Sequence, residues 1–159
     1  MNNEIIYINL STFINLHINE KNIIELIKNQ YIFLLSNLTE TTDMSTEIFI
    51  EQIKNISIMG NIIIAIEGNM NNFIIVGSGT VIIEPKIIRN AGHVAHLEDI
   101  VVHPDYRGKG IAKNIISLLK DYSKLTNCYK IILNCSDEYI PVYEKSGFIK
   151  KGNEMSFYL

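Results

Sequence analysis

HLEDIVVHPDYRGKGIAK, residues 96–113, is the stretch around which the chain is organised. The run from His96 to Val102 is apolar and β-branched, which reads as a buried strand. Pro104 ends it, because proline has no N–H to give to a ladder. Tyr106-Arg107-Gly108-Lys109-Gly110 then turns the chain. Ile111, Ile115, Leu118, Leu119, Tyr122 and Leu125 follow on one face of a helix. A strand therefore passes through a glycine-rich turn straight into a helix.

Arg107, Lys109 and Lys113 crowd the start of that helix. A helix N-terminus already carries about half a positive charge, so each cation there costs about 0.3–1 kcal/mol. The spacing supports two readings. One is a solvated basic turn whose glycines serve geometry. The other is an anion site, where free N–H groups, the helix dipole and basic side chains converge on phosphate. Neither Gly-x-x-x-x-Gly-Lys-Ser/Thr nor Gly-x-Gly-x-x-Gly occurs, so the turn is neither a P-loop nor a dinucleotide fingerprint.

With 159 residues, the chain is read as one domain, 1–159, large enough for a real core. A net charge of −3 gives no reason to expect nucleic acid. No apolar run reaches the ~18 residues that span a bilayer, so no membrane is expected. Met1-Asn2-Asn3-Glu4 lacks the basic n-region of a secretory signal. The odd separation of Cys128 and Cys135 points them to opposite faces, neither a natural disulfide nor a metal pair. A reducing cytoplasm fits. His93-x-x-His96 on a strand also splits its rings between two faces, so no metal is expected. The chain has no Gly-x-Ser-x-Gly elbow, and neither cysteine has an evident activating partner.

Along the chain, Glu4–Phe13 reads as a first strand. Asn19 suits an N-cap, and Ile23, Ile24, Ile27, Tyr31, Leu34, Leu35 and Leu38 form a helical stripe. Ser45 or Thr46 caps a second helix with Ile48, Phe49, Ile53 and Ile56. Asn61–Glu67 and Phe73–Ile83 form a hairpin around Gly68–Asn72. Gly77 and Gly79 inside its second strand predict a bulge or a close backbone approach. Asn127 suits the left-handed end of the long helix. Tyr129–Asn134 reads as a buried strand, Ile140–Lys145 as a short helix, and Phe148–Leu159 as one or two last strands. This order predicts an α/β (α+β) fold, with a mixed, mostly antiparallel sheet and helices on both faces.

Glu98 and Asp99 are adjacent acids on an otherwise apolar strand. Consecutive strand residues face opposite sides, so a solvated face does not account for both. Buried carboxylates need partners or rise in pKa. That leaves structural pairing or a polar ligand site in mid-sheet. Tyr143, just after the last buried strand, reads by composition as a core tyrosine with one satisfied hydroxyl.

Arg107-x-x-Gly110-x-Ala112 resembles the Arg/Gln-x-x-Gly-x-Gly/Ala signature of the GNAT superfamily of N-acetyltransferases. Leu97–Val102, Cys128–Leu133 and Val142–Phe148 resemble the glucosamine 6-phosphate N-acetyltransferase family within it. The likeness is close from about Lys86 to Met155 and looser from Leu34 to Phe49. The first thirty residues match in pattern only.

The resemblance implies transfer of acetyl from acetyl-CoA to the 2-amino group of D-glucosamine 6-phosphate, on the way to UDP-N-acetylglucosamine. It implies a GNAT fold, a cytoplasmic homodimer and no metal. Its catalytic residues fall on Tyr143, Glu98 and Asp99, with Tyr143 reaching the CoA sulfur. Acetyl-CoA would contact Ile100, Val101, Val102, Arg107, Gly108, Lys109, Gly110, Ile111, Ala112, Lys113, Asn134 and Tyr143. The amino sugar would contact Thr39, Lys86, Ile87, Ile88, Arg89, Glu98, Asp99, Tyr129 and Lys130. Lys86, Arg89 and Lys130 suit a sugar phosphate. The chain departs from the family at three places. Asn134 stands for an aspartate, Tyr139 for an asparagine, and Ser156-Phe157-Tyr158-Leu159 holds no cation where an arginine is usual. The alternatives are a GNAT enzyme for another small amine and an inactive acyl-CoA-binding module.

Overall fold

The computed structural model describes residues 4–159. Met1-Asn2-Asn3, part of the stretch read as lacking a secretory n-region, lies outside the described residues. The elements run β1 (Ile5–Asn9), α1 (Leu10–Leu16), α2 (Lys21–Leu35), α3 (Thr46–Met59), β2 (Gly60–Asn69), β3 (Asn72–Pro85), α4 (Ile88–Ala91), β4 (His93–Val102), α5 (Ile111–Leu125), β5 (Cys128–Ile132) and α6 (Ile140–Glu144). The strands lie side by side in sequence order. The pairs from β1 to β4 are antiparallel, and β5 lies parallel to β4 after the α5 crossover. A mixed, mostly antiparallel sheet is therefore present, as the alternation of elements predicts.

Two apolar layers cover the sheet. Leu10, Phe13, Ile27, Tyr31, Leu34 and Phe49 from α1–α3 pack with Ile62, Ile64, Ile66 and Val101 on one face. Ile111, Ile115, Ile116 and Leu119 of α5 pack with Val76, Val81, Ala95 and Leu97 on the other. In α5, Ile116 takes an inward place that the stripe reading left out. Leu118 is 40% and Leu125 87% exposed.

The glycine pair in β3 lets α5 approach the sheet. A Cβ at Gly77 would stand 2.8 Å from Ile111 Cγ2, and one at Gly79 would stand 2.7 Å from Ile115 Cγ2. Against β2 the register skips Val76, next to Gly77, so β3 holds a bulge, and the close approach at the glycines is made by α5 side chains. Gly79→Ala is expected to destabilise the fold by about 1–3 kcal/mol through overpacking. Urea denaturation checks this, and an unmoved midpoint would show that α5 has slack there.

Local signals set several ends. Ser45 Oγ accepts from Ile48 N at 3.3 Å and caps α3. Asn127 takes φ 58° just beyond α5. The first helix of the stripe region starts after Glu20 rather than Asn19. The first strand stops at Asn9, whose Oδ1 accepts from Thr12 N at 2.7 Å. That cap turns Leu10–Phe13 into helix, where Leu10 and Phe13 are fully buried.

The end of the chain differs from the sequence reading. β5 stops at Ile132, and Tyr129 and Ile132 are about 40% exposed rather than buried. Phe148–Leu159 forms no strand, and Met155, Phe157, Tyr158 and Leu159 are exposed. A strand exists only where an edge pairs with it, and within the described residues no edge meets this segment. β5 therefore keeps an open outer side.

Candidate active site

The site begins where β4 loses its regularity. Thr80 of β3 faces Glu98 and Ser78 faces Val101, so Gly79 opposes both Asp99 and Ile100. This is a β-bulge, two residues against one. Asp99 carries it with φ 51°. Aspartate is among the few non-glycine residues that visit this left-handed region. The bulge resets the alternation of side chains. Glu98 shares the α2 face with its partner Thr80, and the Asp99 charge acts on the hydroxyl of Tyr31 in α2.

Adjacent acids on opposite faces is thus a reading the structure corrects. So is their burial, because both side chains open to solvent. They remain crowded. Partial burial, then the nearby Asp99 charge, pushes the Glu98 carboxyl above the usual range, and partial burial pushes Asp99 up as well. Beneath them lies a buried hydroxyl group of Tyr31, Ser78 and Thr80, with Ser78 Oγ donating to Tyr31 OH at 3.4 Å. Burial pushes the Tyr31 phenol up to about 12. Sequence reasoning placed Tyr31 only in the helical stripe and passed over Ser78 and Thr80, although these two stand at i, i+2 in an otherwise apolar strand.

On its other side β4 parts from β5. Their pairing ends at His96–Ile132, while β4 runs on to Val102. Ile100, Val101 and Val102 therefore lie along a β4 edge with no β5 strand opposite. The basic turn closes the end of this opening. Gly108 and Gly110 take φ 76° and 80°, and a Cβ at either would meet nothing within 4 Å. The left-handed Gly110 precedes Ile111, Ala112 and Lys113, and the first helical bond is Asn114 N to Gly110 O at 3.1 Å. N–H groups at a helix start without intrahelical partners are donors for an anion.

Side chains brace this turn. Arg107 Nε donates to Val102 O at 3.2 Å. Tyr106 OH donates to Glu67 Oε2 at 2.5 Å, and Lys109 Nζ stands 4.3 Å from the Tyr106 ring centroid. The Glu67 bond pushes the Tyr106 phenol up. Asn114 Nδ2 donates to Tyr7 OH at 2.9 Å. Glu67, Tyr7 and Asn114 carried no local signal, since their partners are remote in sequence.

Tyr143 sits on α6, half-buried, edge-on to Phe148 at 6.0 Å. Burial, then Cys135 and Tyr139, pushes its phenol up. Asn134 lies exposed in the loop from β5 to α6. Arg89 and Lys130 flank Tyr129, with Arg89 Cζ at 5.8 Å and Lys130 Nζ at 6.0 Å from its ring centroid. Arg89, Asn90 and Ala91 of α4 are all left-handed, at φ 57°, 57° and 54°. Lys86 stands apart from that pair, bound to Glu84, which also holds His96 Nε2 at 2.9 Å. These partners pull the Glu84 carboxyl down. Ile87 and Ile88 are exposed, as is Thr39 between α2 and α3.

A bulged central strand, parted from its parallel neighbour and ending in a basic glycine turn at a helix start, is the architecture of a GNAT acetyltransferase. Residues 26–148 match the model of the Acetyltransferase (GNAT) family. The chain is 43% identical over 128 residues to Glucosamine 6-phosphate N-acetyltransferase 1 of Dictyostelium discoideum, covering 79% of this chain and 80% of that protein. It is 38% identical over 130 residues to the Arabidopsis thaliana glucosamine 6-phosphate N-acetyltransferase, covering 80% and 87%. The crystal structure of an Arabidopsis thaliana glucosamine-6-phosphate N-acetyltransferase matches it with a TM-score of 0.79 and 32% identity, over 98% of both chains. This chain belongs to the GNAT acetyltransferase family, and within it to the glucosamine 6-phosphate N-acetyltransferases.

Proposed function

We propose that this protein transfers acetyl from acetyl-CoA to the 2-amino group of D-glucosamine 6-phosphate, giving N-acetyl-D-glucosamine 6-phosphate and CoA, on the way to UDP-N-acetylglucosamine. The observation that carries the reading is the parting of β4 from β5 beyond His96–Ile132, with the acids at the bulge and the basic turn at its end. The free space at Gly108 and Gly110 suits close approach of a pyrophosphate to backbone N–H groups. Acetyl-CoA supplies an activated thioester.

The N–H groups from Gly108 to Lys113 hold the pyrophosphate, with Arg107 and Lys109 alongside. Glu98 and Asp99 receive the neutral amine on the α2 face. Its nitrogen bonds to the acyl carbon as the C–S bond breaks. A backbone N–H from Ile100–Val102 stabilises the growing charge on the acyl oxygen, a contribution on the order of 10²–10³ in rate. The surplus amine proton leaves through the acids to water, and the Tyr143 hydroxyl gives a proton to the departing sulfur and takes one back from water. Asn134 contributes its backbone beside that sulfur. Thr39, Ile87 and Ile88 line the sugar. Arg89 and Lys130, gathered on Tyr129, take the 6-phosphate, and Lys86, held apart by Glu84, would have to release that carboxylate to join them.

The test is release of CoA thiol with a panel of amines. Glucosamine 6-phosphate is expected to exceed glucosamine at least about tenfold in kcat/KM, since a charged contact contributes about 1.5–3 kcal/mol. Equal turnover of the two sugars would remove the sugar phosphate from the reading, and preference for a polyamine would redirect it.

The protein acts as a single GNAT domain in a homodimer. Support comes from the exposed apolar residues Met155, Phe157, Tyr158 and Leu159 and from the open side of β5, since such edges invite pairing. Light scattering at micromolar concentration is expected to give twice the chain mass, and a monomer mass would count against the dimer. Free thiols at Cys128 and Cys135 suit the reducing cytoplasm.

A further inference from the structure

α6 is five residues long, and Pro141, Val142 and Glu144 are exposed. So short a helix has no stability of its own, and its anchors decide where Tyr143 stands. The Tyr143 hydroxyl has no hydrogen-bond partner among the described residues, so nothing at its tip fixes it. The anchors lie behind it. Ser146 N and Phe148 N both donate to Tyr143 O, at 2.9 and 3.1 Å. Gly147, at φ 85°, folds the chain back so that Phe148 meets the Tyr143 ring edge-on at 6.0 Å and 82°.

One residue outside this turn grips both parts of it. Lys120, half-buried on α5, donates from Nζ to Ser146 O at 2.8 Å. The same ammonium stands 5.7 Å from the Phe148 ring centroid. A cation at that distance is attracted to the ring face. α5 is the helix whose first turn forms the anion site, so Lys120 ties the phosphate-binding helix to the tyrosine-bearing helix.

We propose that Lys120 is a positioning residue for acetyl transfer: by holding Ser146 and Phe148 it sets the Tyr143 hydroxyl at the departing sulfur. The inference rests on the reading of Tyr143 as the proton donor. Lys120 touches neither substrate. Its loss moves the donor without changing how acetyl-CoA is held.

The experiment is a double-mutant cycle on the full chain, read as kcat and KM for acetyl-CoA. Lys120→Met keeps the stem against Phe148 and removes the donor. It is expected to lower kcat about tenfold, as small misplacements of reacting groups do, with KM for acetyl-CoA unchanged. Lys120→Arg, which restores a donor and a cation, is expected to recover most of the rate. In the Tyr143→Phe background Lys120→Met is expected to cost nothing further, because the group it positions is gone. An equal loss in both backgrounds would make Lys120 a general structural residue and overturn the proposal, as would a normal kcat in Lys120→Met. Should the methionine variant fold poorly, Lys120→Gln gives the same comparison. Undiminished kcat in Tyr143→Phe alone would instead refute the proton-donor reading, and the positioning role with it.

Discussion

Tyr143→Phe is expected to slow acetyl transfer roughly 10²-fold in kcat and to leave KM for acetyl-CoA nearly unchanged. The substitution deletes one hydroxyl that makes no hydrogen bond among the described residues, and it keeps the ring that packs on Phe148. Little stability is therefore at stake. General acid catalysis contributes typically 10²–10⁴-fold. A thiolate is a fair leaving group, which places the loss at the low end. The interaction strengthens as charge grows on sulfur, so kcat carries the effect. A phenol is protonated at neutral pH, and burial pushes this one further above its ordinary range. Activity that needs the protonated form is lost as pH rises through the raised value. The variant should lack that alkaline limb. Steady-state kinetics across pH, beside a melting curve on the same preparation, separate the roles. Normal kcat with a lowered melting temperature would make Tyr143 a core residue.

The second large effect belongs to the bulge. Asp99→Val should abolish most activity, whereas Asp99→Asn should retain part of it. Valine at φ 51° is a genuine backbone outlier, costing about 1–2 kcal/mol before any side-chain contact is counted. The strand relieves that strain by straightening, which returns Ile100–Val102 to ordinary alternation and moves their N–H groups. Misplacement of that kind costs on the order of 10²-fold. Asparagine tolerates the left-handed backbone, so it isolates the charge. Losing one charged contact to the amine costs about 1.5–3 kcal/mol, or about 10–10²-fold in kcat/KM.

Stability should move the other way in Asp99→Asn. The folded carboxyl has a raised pKa, so its favourable contribution is present below the unfolded pKa and lost as pH rises through the folded one. Asparagine should therefore unfold at higher urea than wild type at pH 7, and at the same urea at a pH below both carboxylate pKa values. Equal activities of the valine and asparagine variants would show that the bulge is not needed. A lower midpoint for asparagine at pH 7 would show that the Asp99 charge is stabilising.

The route from strand through basic turn to helix at residues 96–125 is legible because each part is a local pattern. β-branched residues, a proline stop, two glycines and a helical stripe all lie within one stretch. The same holds for the Ser45 cap, the left-handed Asn127 and the tight contact at Gly77 and Gly79. Local patterns also misled. Leu10–Phe13 continues an apolar run, yet the Asn9 cap takes it into helix. Phe148–Leu159 has strand composition, yet it does not pair with the open side of β5.

By itself, then, the sequence determined the strands and long helices between residues 21 and 132, the two-sided sheet and the basic glycine turn, since these depend on periodicity and on residues that permit particular backbone angles. Only the tertiary structure decided what that frame does to its polar residues. The bulge that brings Asp99 to the α2 side beside Glu98 lies opposite Gly79, where α5 packs closely on β3. The parting of β4 from β5, the gathering of Arg89 and Lys130 on Tyr129, and the grip of Lys120 on Ser146 join residues that carry no mutual signal. Register and long-range contact are settled by packing against distant partners. A local pattern holds no record of which partner wins.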